Sequence, residues 1–274
     1  MKLKYLGTGA AEGWPALFCS CESCKKARQL GGKNIRTRSQ ALVDNKLLID
    51  LPPDTYMHYL QHGFPLPAIT DILVTHSHSD HFYPKELEMR CRPYCDEHAV
   101  KLSIYGNRTV EALYREEVRH EPDIENFNCF VPVKPFQVYE VASYQVIPLK
   151  ALHDSREECL IYCIKGQSKQ LLYCHDTGIF PRETWDYLVW NKIKADAVSL
   201  DCTTGIEADG GNHMGVEDVI SMKKDMIQRK IADENTVFVA AHFSHNGKLM
   251  HQELEDRFRA ENIQVAYDGL EINI

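Results

Sequence analysis

Long apolar runs are missing from this chain of 274 residues, and no segment approaches the roughly 20 residues needed to span a bilayer. Positive charge is also short. The 31 Lys and Arg against 39 Asp and Glu leave a formal net charge of −8, which argues against a broad nucleic-acid-binding face. The opening MKLKYLGTGA carries neither the apolar core nor the small-residue cleavage site of a secretory leader, and it runs straight into a strand-like pattern. A cytoplasmic protein is therefore expected. Repeats, low-complexity tracts and long Gly/Ser linkers are absent too, so one domain is expected over residues 1–274. At 44% hydrophobic residues, a chain of this length can bury a sizeable core.

Cysteine is the exception to these shortages, with ten residues. A reducing compartment excludes structural disulfides, which leaves metal ligands and buried thiols. Cys91, Cys129, Cys159, Cys163, Cys174 and Cys202 are scattered and read as small buried hydrophobes, while Cys95 sits in a polar turn. The stretch FCSCESC differs. Cys19, Cys21 and Cys24 form C-x-C-x-x-C, a spacing that suits a zinc ion in a small loop over residues 19–24. No fourth ligand lies nearby, and His245 is the expected one.

The chain alternates strand-like runs with a few helical ones. QALVDNKLLIDL reads as a hairpin turning at Asp44-Asn45, and PDTYMHYLQHG as a helix with Pro near its start and Gly at its end. Later strands are expected in VKLSIYG, FNCFVPV, YQVIPLKAL, CLIYCIKG, KQLLYCHD, DAVSLD, TVFVAAH, IQVAYD and LEINI. Helices are expected in NRTVEALYREEVRH, PRETWDYLVWNK, GVEDVISMKKDMIQRK and KLMHQELEDRFRAE. That pattern predicts an α/β (α+β) architecture: two sheets face to face with helices outside.

The chemistry concentrates after the run ILVT. His76, His78, Asp80 and His81 form H-x-H-x-D-H, four nitrogen and oxygen donors within six residues. One small tetrahedral site cannot take all four from so short a loop, but two adjacent metals can. Further donors stand at the ends of other strand-like runs: His153 in KALHDS, Asp176 in LLYCHDTG and His242 in VFVAAHFSH. His213, in the glycine-rich GGNHMG, is left over and free to act as an acid.

Taken together, THSHSDH, His153, Asp176 and His242 resemble the metallo-β-lactamase superfamily. That resemblance implies a four-layer αββα sandwich with two divalent ions, Zn or Mn with Fe as a further option. It assigns His76, His78 and His153 to the first ion, Asp80, His81 and His242 to the second, and Asp176 to a bridge. Asp50 would brace the site from behind. The C-x-C-x-x-C, a histidine three residues after His242, the N-H loop histidine and the ending DGLEI narrow the resemblance to PhnP-like phosphoribosyl cyclic phosphodiesterases.

That branch implies hydrolysis of a small cyclic phosphodiester, 5-phosphoribosyl 1,2-cyclic phosphate, by a hydroxide held between the two ions. It also implies catalytic roles for Asp80 and His213, a structural zinc on Cys19, Cys21, Cys24 and His245, and a homodimer. Arg36 and Arg38 are read as a grip for the 5-phosphate. The partner is a small phosphorylated sugar, with neither membrane nor nucleic acid expected. The competing readings are an RNase Z-like nuclease or another hydrolase of the same fold. A non-enzymatic alternative is a metal-binding accessory protein related to pyrroloquinoline quinone biosynthesis.

Overall fold

The computed structural model describes residues 1–95, 100–121, 123–207 and 211–274. Its first half lays down β1 (Lys2–Gly7), β2 (Gln40–Val43), β3 (Leu47–Ile49), β4 (Asp71–Leu73), β5 (Leu102–Gly106) and β6 (Asn128–Pro132). The second half adds β7 (Tyr139–Val141), β8 (Tyr144–Lys150), β9 (Leu160–Lys165), β10 (Gln170–Cys174), β11 (Ala197–Asp201), β12 (Val237–Ala241), β13 (Ile263–Val265) and β14 (Glu271–Asn273). They form two seven-stranded sheets, ordered β14-β1-β2-β3-β4-β5-β6 and β13-β12-β11-β10-β9-β8-β7. IQVAYD and LEINI, neighbours in sequence, therefore belong to opposite sheets, and the last strand carries the chain back to the first.

Side-chain alternation shows how the sheets stack. Ala41, Val43, Leu47, Ile49 and Leu73 join the core between the sheets, while Leu42, Leu48, Ile72 and Val74 join the core on the outer face. Both faces of these strands are buried, so they read as continuous apolar runs. The predicted hairpin is present, with Val43 opposite Leu47 and both turn residues left-handed (φ 48° at Asp44, 56° at Asn45), as a tight hairpin turn requires.

Helix α1 (Glu22–Leu30) follows the cysteine loop, and α2 (Thr55–His62) ends at Gly63 in the left-handed region. Helix α3 (Arg108–Glu117) starts where Asn107 accepts from the backbone N–H of Val110. The others are α4 (Ile124–Phe127), α5 (Arg182–Trp190), α6 (Val216–Gln228) and α7 (His251–Phe258). Among the described residues no helix is long and apolar enough to cross a membrane.

One cysteine expectation needs correction. Cys129 is exposed, because β6 is an edge strand and its outer side faces solvent; Cys91, Cys159, Cys163, Cys174 and Cys202 are buried.

Beneath α2, His58 is buried between Gln40 Oε1 (2.6 Å from Nδ1) and Thr37 Oγ1 (2.7 Å from Nε2). Burial pushes it down to about 4, against a smaller opposing pull from Asp54. The unfolded chain takes up this proton near the ordinary 6.5, and the folded chain does so only near 4. Its contribution to stability is thus full above that ordinary value and drains away as pH falls toward the folded one. Urea midpoints at about pH 7 and pH 5 are expected to show wild type losing on the order of 2 kcal/mol more than His58→Gln. Equal losses would show that His58 is not held neutral.

Candidate metal centre

The donors gather at or just past the ends of strands. His76 follows β4, His153 follows β8, Asp176 follows β10, Asp201 ends β11 and His242 follows β12. In parallel and mixed sheets this edge is where loops converge. Three residues there are non-glycine yet left-handed: Asp50 (φ 66°), Asp176 (φ 50°) and His242 (φ 60°). Such strain persists only where surrounding contacts overdetermine it, and it gathers at functional sites.

The H-x-H-x-D-H loop is pinned from both sides. The N–H of Leu51 donates to His81 O at 2.7 Å, and that of Tyr83 donates to Leu51 O at 2.7 Å. Ser77 donates through its N–H (3.1 Å) and Oγ (2.7 Å) to Glu157, which Asn107 holds in turn at 2.8 Å.

Two groups of donor atoms result, each within 4.8 Å: His76, His78 and His153, and Asp80, His81, Asp176 and His242. Asp176 lies beside both, with Oδ2 2.5 Å from His81 Nε2 and 3.5 Å from His76 Nε2. Several contacts set one ring nitrogen against another. His81 Nε2 is 3.3 Å from His242 Nε2, and His78 Nδ1 is 3.3 Å from His153 Nε2. The buried Nε2 of His76 has no hydrogen-bond partner. An orphaned nitrogen aimed at a cluster of acceptors is what a divalent cation relieves, so the residues fit one.

Each histidine is turned by something behind it. Asp50 Oδ2 accepts from His81 Nδ1 at 2.7 Å, and Asp154 Oδ2 accepts from His78 Nε2 at 2.9 Å. Asp201 Oδ2 lies 3.2 Å from His213 Nδ1 and 3.3 Å from His242 Nδ1, and Thr203 Oγ1 is 2.8 Å from that same His242 nitrogen. Asp201 also accepts backbone N–H groups from Asp176 (3.1 Å), Thr203 (3.0 Å) and Met214 (3.1 Å).

On the protein's own charges, burial and the neighbouring imidazoles hold His76 well below its ordinary range. Burial also opposes protonation of His213, but Asp201 and then Asp176 outweigh it and push it up to about 9. His213 Nδ1 stands 3.4 Å from Asp176 Oδ1, so the residue reaches the donor groups from their open side. Its loop is set by close glycine contacts. A side chain at Gly178 would strike Gly211 O, and one at Gly205 (φ 59°) would strike Gly247. Gly210, part of the expected glycine-rich loop, lies outside the described residues.

Asp176, Asp201, His213 and His242 form a third, overlapping group, and a fourth joins Cys19, Cys21, Cys24 and His245. His245 Nδ1 is 3.4 Å from Cys21 Sγ and 3.8 Å from Cys19 Sγ. Backbone N–H groups point at the sulfurs: Cys24 N to Cys21 Sγ (3.4 Å) and Ala16 N to Cys24 Sγ (3.3 Å). The Cys24 N–H and then His245 pull the Cys21 thiol down to about 6, toward the thiolate that zinc takes.

The arginine expectation is overturned. Arg36 is 2% exposed; it donates to Thr8 Oγ1 (2.8 Å) and Ala266 O (2.6 Å), and its guanidinium stacks on Phe243. Arg38 donates to Ala11 O (2.9 Å) and to Asp54 (3.1 Å). Neither lines the cavity of about 470 Å³ above the histidines, whose wall includes His78, Asp80, His153, Asp176, His213 and His242.

Asp154, Glu157 and Asp201 escaped the sequence reading. Only Asp154 had a local signal, following His153 directly. His175, likewise unpredicted, is a neutral spacer between Ser39 (3.1 Å) and Ser199 (2.7 Å), driven down to about 3 by burial and then by the charge of His242.

Metal analysis by inductively coupled plasma mass spectrometry tests the partition of these groups. Cys21→Ser is expected to lose about one zinc per chain while the histidine groups keep theirs. Simultaneous loss from both would show that the groups do not load independently.

Residues 45–242 match the family model described as the beta-lactamase superfamily domain. Among solved structures, a new diphosphatase from the PhnP family aligns over 100% of this chain and 97% of its own, with 22% identity and a TM-score of 0.78. Zinc-bound PqqB from Methylobacterium extorquens aligns over 100% of both chains, with 17% identity and a TM-score of 0.72. A curated octanoyltransferase from Porphyromonas gingivalis (strain ATCC BAA-308 / W83) is 26% identical over 279 residues, covering 99% of this chain. This chain spans about half, 51%, of that relative's length. With two mixed sheets flanked by helices and donor groups at the strand ends, the chain belongs to the metallo-β-lactamase superfamily of metal-dependent hydrolases.

Proposed function

We propose that the protein hydrolyses a small phosphodiester, with a cyclic sugar phosphate as the substrate type, using two metal ions held by the histidine groups. His76, His78 and His153 would hold one ion, Asp80, His81 and His242 the other, and Asp176 would bridge them. Such a pair activates a water molecule and offsets the charge that grows on the phosphoryl oxygens. The observation that carries this reading is the placement of His213: a histidine tied through Nδ1 to a buried carboxylate, at the mouth of a cavity floored by both groups.

The chain's own residues then divide the work. Asp80, beside His81 Nε2 at 3.2 Å, receives the proton of the attacking water as its oxygen bonds to phosphorus. His213, kept protonated by Asp201, gives a proton to the sugar oxygen as the bond from phosphorus to that oxygen breaks. Asp201 keeps the imidazole in the tautomer and orientation for that transfer. Glu157, Asp50 and Asp154 hold the loop and turn its rings. The thiolate group would carry a structural zinc.

The name of the curated relative raises an acyl substrate as a rival. An apolar cavity of about 530 Å³ does exist, lined by Tyr59, Ile69, Ile72 and Leu87 among others, but it shares no lining residue with the metal-site cavity. An acyl chain seated there has no shared wall to bring its carbonyl to the histidines. PqqB-like accessory binding without turnover is the non-enzymatic rival, and the intact arrangement of donor and acid favours hydrolysis.

Turnover followed by phosphorus NMR decides among these, with 5-phosphoribosyl 1,2-cyclic phosphate, 2′,3′-cyclic nucleotides, an aryl phosphodiester and a small thioester as substrates. Hydrolysis of phosphodiesters but not the thioester is expected. Asp80→Ala and His213→Ala are expected to lose about 10²–10⁴-fold in rate, and Asp201→Asn about 10–100-fold. Thioester cleavage alone, or no turnover by metal-loaded protein, would sink the reading.

A further inference from the structure

The cavity over the histidines has a wall that the proposed reaction does not use. Glu12, Ser244 and Asn246 form part of it, and Thr204, Glu207 and Asn212 another. The segments bearing Glu12 and Ser244 are zipped together, with Ala10 N donating to Phe243 O and Phe243 N to Thr8 O, each at 2.9 Å.

Glu12 is held at one oxygen only. Its Oε1 accepts from Ser244 Oγ at 2.5 Å and lies 3.5 Å from His245 Nε2. Its Oε2 has no hydrogen-bond partner among the described residues, and the side chain, 29% exposed, borders the cavity. Because the other nitrogen of His245 faces the cysteine thiols, the group that fixes His245 also fixes Glu12. Among the described residues lining the cavity there is neither a lysine nor an arginine.

We propose that Glu12 determines specificity. Its free carboxylate oxygen accepts hydrogen bonds from the hydroxyls of an uncharged, polyol end of the substrate and repels a second phosphate at that end. This rests on the phosphodiesterase reading and narrows it, from bisphosphorylated sugars to singly phosphorylated ones. A carboxylate offers only acceptors, which match sugar hydroxyls and oppose a phosphate dianion. Like charges set side by side in such a wall cost enough to decide between ligands.

Isothermal titration of the zinc-loaded protein with ribose 1-phosphate and with ribose 1,5-bisphosphate tests this. Wild type is expected to bind the monophosphate about tenfold more tightly. Glu12→Gln, which keeps an acceptor for Ser244, is expected to narrow the gap to about twofold, with zinc content unchanged. Glu12→Ser, which removes the carboxylate altogether, is expected to narrow it likewise, and it carries the test should Glu12→Gln lose its metal. Equal or tighter binding of the bisphosphate by wild type would overturn the proposal, as would an unchanged gap in the metal-loaded variants. The readout is binding, so a failure of the hydrolytic reading would appear separately, as inertness toward every phosphodiester.

Discussion

Imidazole nitrogens and carboxylate oxygens are packed against one another at the edge of this fold. His81 Nε2 faces Asp176, Asp80 and His242 at once, and His76 Nε2 faces a neighbouring carboxylate with no bond of its own. Buried acceptors left this way cost several kcal/mol unless a cation sits among them. That electrostatic debt organises what lies around it. The loops are pinned, the backbone is left-handed at Asp50, Asp176 and His242, and each ring is turned by a separate partner. A metal-dependent hydrolase needs this preorganisation, because its donors must stand in place before the substrate arrives.

The carboxylates behind the rings are not interchangeable. Asp50 is sealed in the interior and serves His81 and Thr75, so its effect is confined to the metal side. Asp154 is shared between His78 and Arg156, which places a partly solvated pair at the rim. Among the described residues Asp201 alone touches the rings of His242 and His213 and the backbone of Asp176. In the proposed reaction a displacement of Asp201 would therefore move both a metal-side ring and the proton donor, tying binding and chemistry to one buried group.

Local signals made part of this legible in the sequence. H-x-H-x-D-H reads as a metal loop because all its donors fall within six residues, and the hairpin reads from Asp44-Asn45. The strand and helix runs read from apolar periodicity, and with them the sandwich. Asp201 did not read, because an aspartate ending a strand looks like any other until β10, β11 and β12 are laid side by side. Arg36 misled for the converse reason. A lone arginine near a strand looks like a surface residue, yet here it is the interior bond between Thr8 and Ala266. Cys129 was misplaced because strand periodicity does not reveal which strand ends up at the edge.

The thiolate group meets a segment that packing anchors only in part. The segment between β1 and α1 exposes Leu17 and Phe18, while Trp14 and Ala16 anchor it in the core. This same segment must hold Glu12 at the cavity, and it is joined to the loop where His242 and His245 stand three residues apart. A metal bound by these four donors would add a constraint at the exposed end of this segment. Cys19 and Cys21 before α1, Cys24 in its first turn and His245 on the other loop would, with a zinc ion among them, clamp both to a single point. The clamp lies on the far side of Glu12 and Ser244 from the catalytic ligands. Such a clamp would fix the shape of the wall bearing Glu12 without adding charge to the cavity proposed for the reaction.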